Sequence, residues 1–125
     1  MPAVKDPKEM PSLEGLISQT IRDAAGKIGM VLTHVGVVRS SSRKGQAVSK
    51  VRVKVDEKRL EEIIASAQRN PGIFRVQAYV REGELSVGEI LMILMVAGDF
   101  RENVFETLKE TLEEIKKHVT SKEEF

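Results

Sequence analysis

Residues 83–101 read GELSVGEILMILMVAGDFR, and they set the architecture of the whole chain. A glycine-flanked turn leads into the apolar run Ile90–Val96, which has the length of one buried strand and is too short to span a bilayer as a helix. Asp99 can then cap a helix that begins near Arg101. Because the turn, the strand and the helix follow one another almost without a spacer, we expect Arg101 to lie at a fixed position on a sheet edge.

A similar junction occurs earlier in the chain. The strand-like segment Met30–Val38 is β-rich on both faces, which predicts a covered strand, and it leads directly into Arg39 and the loop SSSRKG at residues 40–45. An arginine side chain presents a planar fork that suits phosphate and carboxylate groups. Arg39 and Arg101 are therefore candidates for binding an anion.

The remaining segments alternate between helical and strand patterns. Ser12 is predicted to cap a first helix and Asp56 a second. Residues 46–55 alternate valines with basic side chains, so one face of this strand is expected in the core and the other to form a cationic ribbon. Such alternation, without internal repeats, is typical of an α+β domain.

The last third completes the predicted domain. Ile73–Arg81 and residues 89–96 are expected to be adjacent strands with a short strand piece between them, and Glu102 to complete a capping box for a helix that reaches about Val119. Residues 1–11 contain three of the four prolines and are interpreted as a flexible N-terminal tail. A single domain is therefore predicted over residues 12–125, with a mixed or antiparallel sheet and flanking helices.

Composition excludes several classes of function. The chain has 125 residues, a net charge of +1 and no cysteine, so thiol nucleophiles, disulfides and thiolate metal sites are absent. The near-balanced charge argues against a dedicated nucleic-acid binder, although the ribbon of Lys50, Arg52 and Lys54 keeps that function as a minor alternative. The N-terminal sequence resembles no signal peptide, so no membrane association is expected and the cytoplasm is the expected location.

The two histidines are predicted to be structural. His34 lies inside a strand pattern and is interpreted as a packed or edge-exposed strand residue, and His118 as a solvated residue near a helix C-terminus. The sequence has neither a histidine-rich metal motif nor a glycine-rich phosphate motif. It therefore predicts no metal and no cofactor.

Four separated segments resemble the large subunit of molybdopterin synthase in order and spacing. They are Val35–Arg39, residues 83–89, the helix start Arg101–Phe105, and Ile115-Lys116. The resemblance implies a hammerhead-type α+β fold, a homodimer, and a small ubiquitin-like partner whose Gly-Gly tail carries a thiocarboxylate. It further implies transfer of that sulfur to cyclic pyranopterin monophosphate, which gives the dithiolene of molybdopterin in molybdenum cofactor biosynthesis.

The resemblance also implies roles for particular residues. Arg39 and Arg101 would bind the substrate, and Lys116 would assist catalysis. Lys122 would act as a second catalytic lysine only if the tail shifts by one residue, because an ungapped register places Glu123 there. Phe100 stands where the family has a histidine, which leaves a second function open: a catalytically degenerate module that docks a ubiquitin-like partner or an anionic metabolite.

Overall fold

The computed structural model describes residues 2–125 and contains two β-sheets and three α-helices. The predicted α+β class, with mixed and antiparallel sheets and flanking helices, is confirmed. No helix among the described residues is long and apolar enough to cross a membrane. The elements are β1 (Ala3–Val4), α1 (Leu13–Ala24), β2 (Met30–Val37), β3 (Lys50–Val55), α2 (Glu57–Ala67), β4 (Ile73–Arg81), β5 (Gly83–Ser86), β6 (Ile90–Gly98), α3 (Arg101–His118) and β7 (Thr120–Glu124).

The larger sheet is built around β6. Its strand order is β1-β4-β6-β2, with β6 antiparallel to both neighbours and β1 parallel to β4. One face of β6 contributes Leu94 and Val96 to a core shared with α2 and α3, and on the opposite face Met95 contacts Thr20 of α1. A strand covered on both faces is apolar throughout, which explains the uninterrupted run in the sequence.

The prediction that residues 30–38 form a covered strand is wrong in one respect. β2 lies at the edge of the sheet, and Val35 and Val37 are exposed. An apolar strand pattern alone does not distinguish an edge strand from a central one, because the difference depends on which elements pack against it.

The smaller sheet has the order β5-β3-β7. Val51 and Val53 of β3 are buried, as the alternating pattern predicted. On the opposite face Lys50 and Arg52 each lie 3.3 Å from the carboxylate of Glu84 on β5, which lowers the pKa of Glu84. The predicted cationic ribbon is therefore partly neutralised by its neighbouring strand.

Two of the three predicted helix caps are confirmed. Ser12 Oγ accepts a hydrogen bond from the Gly15 amide, and Asp56 Oδ1 accepts one from the Arg59 amide. The third prediction is wrong, because α3 has Phe100 at its N-cap position and no side-chain cap. Asp99 lies one residue too early and accepts hydrogen bonds from the Phe100 amide and the Asn103 side chain instead.

Both ends of the chain differ from the prediction. Ala3–Val4 pairs with β4, which departs from the flexible tail predicted for residues 1–11; the apolar Val4 side chain is almost wholly buried there. At the other end α3 stops at His118, and residues 120–124, for which no strand was predicted, pair with β3. This pairing brings the C-terminal residues beside the middle strand of the smaller sheet.

Replacing Gly98 with Ala is expected to lower the free energy of unfolding by about 1–3 kcal/mol, because a side chain there overpacks the core. A Cβ at this position would stand 2.6 Å from the Gly72 carbonyl oxygen and 2.9 Å from Val104 Cγ2. Urea denaturation measures the effect.

Gly15→Ala in α1 is the matched control. A Cβ there meets only Ser12 side-chain atoms at 3.6 Å, and alanine is favoured in helices, so stability should stay equal or rise slightly. Equal stability of the Gly98→Ala variant and the unmodified chain would contradict the packing described here.

Candidate functional site

A cleft of about 980 Å³ lies between the end of β2, the C-terminal part of α3 and the smaller sheet. Basic side chains dominate its charged lining, and the lining includes one carboxylate, Glu124. Clefts lined by one sign of charge concentrate ligands of the opposite sign. We call it the basic cleft; its basic residues are Arg39, Arg43, Lys44, Lys116 and Lys122.

The backbone just before Arg39 is tied to the turn that precedes β6. The amide of Val38 donates to the Glu89 carbonyl oxygen at 3.0 Å, and the Val38 carbonyl oxygen accepts from the Gly88 amide at 2.9 Å. Val38 itself is buried. Arg39 therefore projects from a fixed backbone into the basic cleft, as expected for a side chain that follows a stiff element.

The turn at residues 86–89 is held by an ion pair whose arginine is buried and whose glutamate is partly exposed. Glu89 accepts a hydrogen bond of 2.6 Å from the Ser86 amide and lies 3.3 Å from Arg81, whose side chain is only 6% exposed. The Ser86 hydrogen bond and the Arg81 charge hold the pKa of Glu89 below its usual value. The pair stabilises the turn on which the backbone before Arg39 depends.

Replacing Glu89 with Ala is expected to cost about 1–3 kcal/mol of unfolding free energy, because the buried Arg81 loses its partner and the Ser86 amide its acceptor. The Glu84→Ala variant is the control: its ion pairs are exposed, so its loss should stay below about 1 kcal/mol. Chemical denaturation compares the two. Equal stabilities of the two variants would show that the Arg81–Glu89 pair does not hold the turn.

Lys116 is oriented by the buried side of α3. Ile115 is completely buried, and Val119 just beyond the helix is nearly so. With these neighbours packed in the core, the adjacent Lys116 faces the basic cleft at the C-terminal end of the helix. A cation is also favoured there by the helix dipole.

The pairing register of β7 places Lys122 in the lining of the basic cleft. Lys122 pairs with Val53 and Glu123 with Arg52, so the strand alternation puts Lys122 and Glu123 on opposite faces of the sheet. Lys122 lies on the face of the buried valines and lines the basic cleft, whereas Glu123 is on the exposed face with Arg52. The structure thus places Lys122, not Glu123, in the same cleft as Arg39 and Lys116.

Arg101 lies at the opposite end of α3 from Lys116 and is not part of the basic cleft. It begins α3, at about 22 Å from Lys116 along the helix axis at ~1.5 Å per residue. Its side chain is 78% exposed and lies 3.4 Å from Glu102. Within one chain the structure therefore brings Arg39, Lys116 and Lys122 together and leaves Arg101 outside the basic cleft.

His34 lines the basic cleft and was assigned only a structural role from the sequence. Its pKa is lowered, first by burial and then by the positive charge of Lys116. The alternation of β2 puts His34 and Gly36 on the same face, and this spacing was the available sequence signal. Among the described residues, no cluster of three or more histidine and carboxylate side chains could hold a metal ion.

The fold and the cleft together define a class of protein: an α+β fold whose cleft has a mostly basic charged lining, in a chain without cysteine. A family model described as "MoaE protein" matches residues 7–118. An uncharacterized protein of Methanocaldococcus jannaschii is 30% identical over 106 residues, which cover 82% of this chain and 89% of that protein. The chain belongs to the MoaE family.

Solved structures show the same fold. Molybdopterin synthase from Staphylococcus aureus has a TM-score of 0.79 at 23% identity, covering 98% of this chain and 88% of that one. A molybdopterin cofactor biosynthesis protein E from Burkholderia multivorans has a TM-score of 0.73 at 24% identity, covering 91% and 73%. A complex of subunits 1 and 2 of molybdopterin-converting factor from Helicobacter pylori has a TM-score of 0.70 at 18% identity, covering 91% and 78%.

Proposed function

We propose that this chain acts in molybdenum cofactor biosynthesis as the large subunit of a molybdopterin synthase. In this role it transfers sulfur from a thiocarboxylated small subunit to cyclic pyranopterin monophosphate. The observation that carries the proposal is the common location of Arg39, Lys116 and Lys122 in the basic cleft. Family membership and the Helicobacter pylori complex of two subunits support the choice of reaction and of partner.

The charges of the basic cleft suit this reaction because both reactants are anionic. A thiocarboxylate and a cyclic phosphate diester are both anions and repel each other, and fixed cations between them reduce that repulsion. Arg39 offers a planar fork for the phosphate, and the two lysines stabilise negative charge on the reacting sulfur and its carbonyl oxygen. Sulfur arrives on the partner, so the reaction requires no cysteine in this chain.

Arg101 contributes, in this proposal, from a second copy of the chain. The length of α3 keeps it away from the basic cleft of its own chain. Beside it Phe100 and Phe105 are 67% and 53% exposed, and such aromatic side chains are common in contacts between subunits. A homodimer that covers these two residues could place Arg101 at the partner's cleft.

Mixing two inactive variants tests this arrangement. Lys116→Ala and Arg101→Ala chains are unfolded and refolded together, and sulfur transfer is then measured. If Arg101 acts on the partner's cleft, mixed dimers contain one intact site, and roughly a quarter of the unmodified activity should return. No recovery in verified mixed dimers would contradict an Arg101 that acts between subunits.

The proposed reaction itself is tested by single turnover. The purified chain is assembled with a thiocarboxylated small subunit and supplied with cyclic pyranopterin monophosphate, and we expect a dithiolene product. A verified complex that forms no product would exclude the synthase function.

Phe100 favours the second candidate function, a binding module without catalysis. It is an exposed phenyl ring where the resemblance places a histidine, so any proton transfer made there is lost. This candidate predicts that the small partner is retained in a pull-down while the single-turnover assay stays silent. Failure to retain either the partner or the pterin at micromolar concentration would exclude it.

A further inference from the structure

The imidazole of His34 occupies a particular place in the basic cleft. His34 is on β2, paired with Leu94 of β6, and is partly buried. A Cβ atom at Gly36 would lie 3.5 Å from His34 Nε2. Because Gly36 has no side chain, the backbone of β2 beside this nitrogen is uncovered. Both residues line the cleft. One ring nitrogen is thus available to a ligand.

The charged groups around this imidazole are mostly cations. Lys116 faces it from α3 and is close enough to disfavour its protonated form. The same lining includes Arg39 beyond the end of β2, and Lys122 and the carboxylate of Glu124 on β7. An empty cleft therefore opposes a further positive charge at His34.

We propose that His34 is a ligand-contacting residue of the basic cleft, and that its imidazole takes up a proton when a phosphate-bearing ligand binds. A bound anion offsets the cations of the lining and favours the imidazolium form. The imidazolium then donates a charge-assisted hydrogen bond to a ligand oxygen. The inference rests on the anion-binding part of the proposed function and is independent of sulfur transfer.

In this role His34 supplies the cleft with an imidazole group. Phe100 cannot supply one, although the resemblance places a histidine at its position. The unprotonated nitrogen of neutral His34 is only an acceptor and cannot donate to a phosphate oxygen, whereas protonation turns it into a second donor and adds one positive charge to the site. The ligand-free fold resists protonation of His34, whereas the unfolded chain is protonated below the ordinary histidine pKa of 6.5. A bound anion favours the protonated form in the folded chain. Ligand binding and proton uptake at His34 therefore favour each other. Affinity for an anion of constant charge should consequently rise as the pH falls.

Sulfate is the probe, because it remains a dianion throughout the relevant pH range. The chain has only two histidines, so NMR can follow both imidazoles during a pH titration with and without sulfate, with sodium chloride at equal ionic strength as reference. The His34 pKa should rise by about 1 to 2 pH units when sulfate is bound. His118, which is exposed and 3.3 Å from Glu114, should not respond.

Calorimetry provides the second readout. Sulfate affinity should increase between about pH 8 and about pH 5.5 by up to about tenfold per pH unit, the limit for one proton. The His34→Gln variant should lose this dependence, and the His118→Gln variant should keep it.

Three results would overturn the inference. They are an unchanged His34 pKa with sulfate bound, an unchanged pH dependence in His34→Gln, and no sulfate binding at all. The single-turnover assay separates these results from the proposed function, because dithiolene formation with an unresponsive His34 refutes only the role of His34.

Discussion

Replacing Lys116 with Ala is expected to slow dithiolene formation by about 100- to 1,000-fold, the range associated with loss of one preorganised charge-stabilising group. Lys116 faces the basic cleft with Arg39 and Lys122. In the proposed reaction its ammonium group stabilises charge on the reacting sulfur or carbonyl oxygen. The effect should appear mainly in kcat, because Arg39 and Lys122 still bind the anionic reactants. Single-turnover kinetics on the assembled complex measure it.

Lys117→Ala is the matched control for this variant. Lys117 is adjacent in sequence and carries the same charge, but it points about 100° away around the helix and is not part of the lining. Its replacement should leave the rate within about twofold of the unmodified chain, since isolated surface charges contribute little. Equal losses in both variants would indicate a general charge effect and contradict a specific role for Lys116.

Replacing Lys122 with Ala is expected to reduce kcat/KM by about 100-fold, comparable to the loss of one preorganised donor. The adjacent variant Glu123→Ala should retain nearly full activity. The two residues occupy opposite faces of β7, because Lys122 pairs with Val53 and Glu123 with Arg52. The comparison therefore tests the register of the C-terminal strand as well as the role of the lysine.

The opposite ranking would contradict this register. If Glu123→Ala is the more damaging change, residues 120–124 are shifted by one position when the partner is bound, and the cleft described here is not the reacting one. Circular dichroism and unfolding midpoints of both variants show whether β7 remains paired. Both replacements lie on an exposed strand and should leave stability nearly unchanged.

The sequence predicted most of the helices and strands, but it did not predict which of their ends lie close together. The junction of turn, β6 and α3 was read correctly because local spacing determines it, apart from the cap at Asp99. The idea that Arg39 and Arg101 share one site does not hold within a single chain. The distance between Arg39 and Arg101 depends on the length and direction of α3. Neither the sequence at the end of β2 nor the sequence between β6 and α3 specifies these.

Two further features of the cleft depend on contacts between distant segments. The sequence TSKEE at residues 120–124 has little strand propensity, and it becomes a strand because the edge of β3 supplies hydrogen-bond partners. The pairing continues one residue beyond β7, where the Ser49 amide donates to the Phe125 carbonyl oxygen at 2.7 Å and the Phe125 amide donates to the Lys50 carbonyl oxygen at 2.9 Å. Likewise, the packing of α3 beside β2 places His34 at a cavity, and the spacing of His34 and Gly36 shows only that the two residues share a face.

A crystal structure of the chain grown with sulfate is the most direct test of the basic cleft as an anion site. We predict a sulfate ion within hydrogen-bond distance of Arg39 and of at least one of Lys116 and Lys122, at a position free of contacts with neighbouring molecules. An ordered sulfate elsewhere, with the three side chains turned to separate surfaces and the cleft empty at saturating concentration, would contradict it.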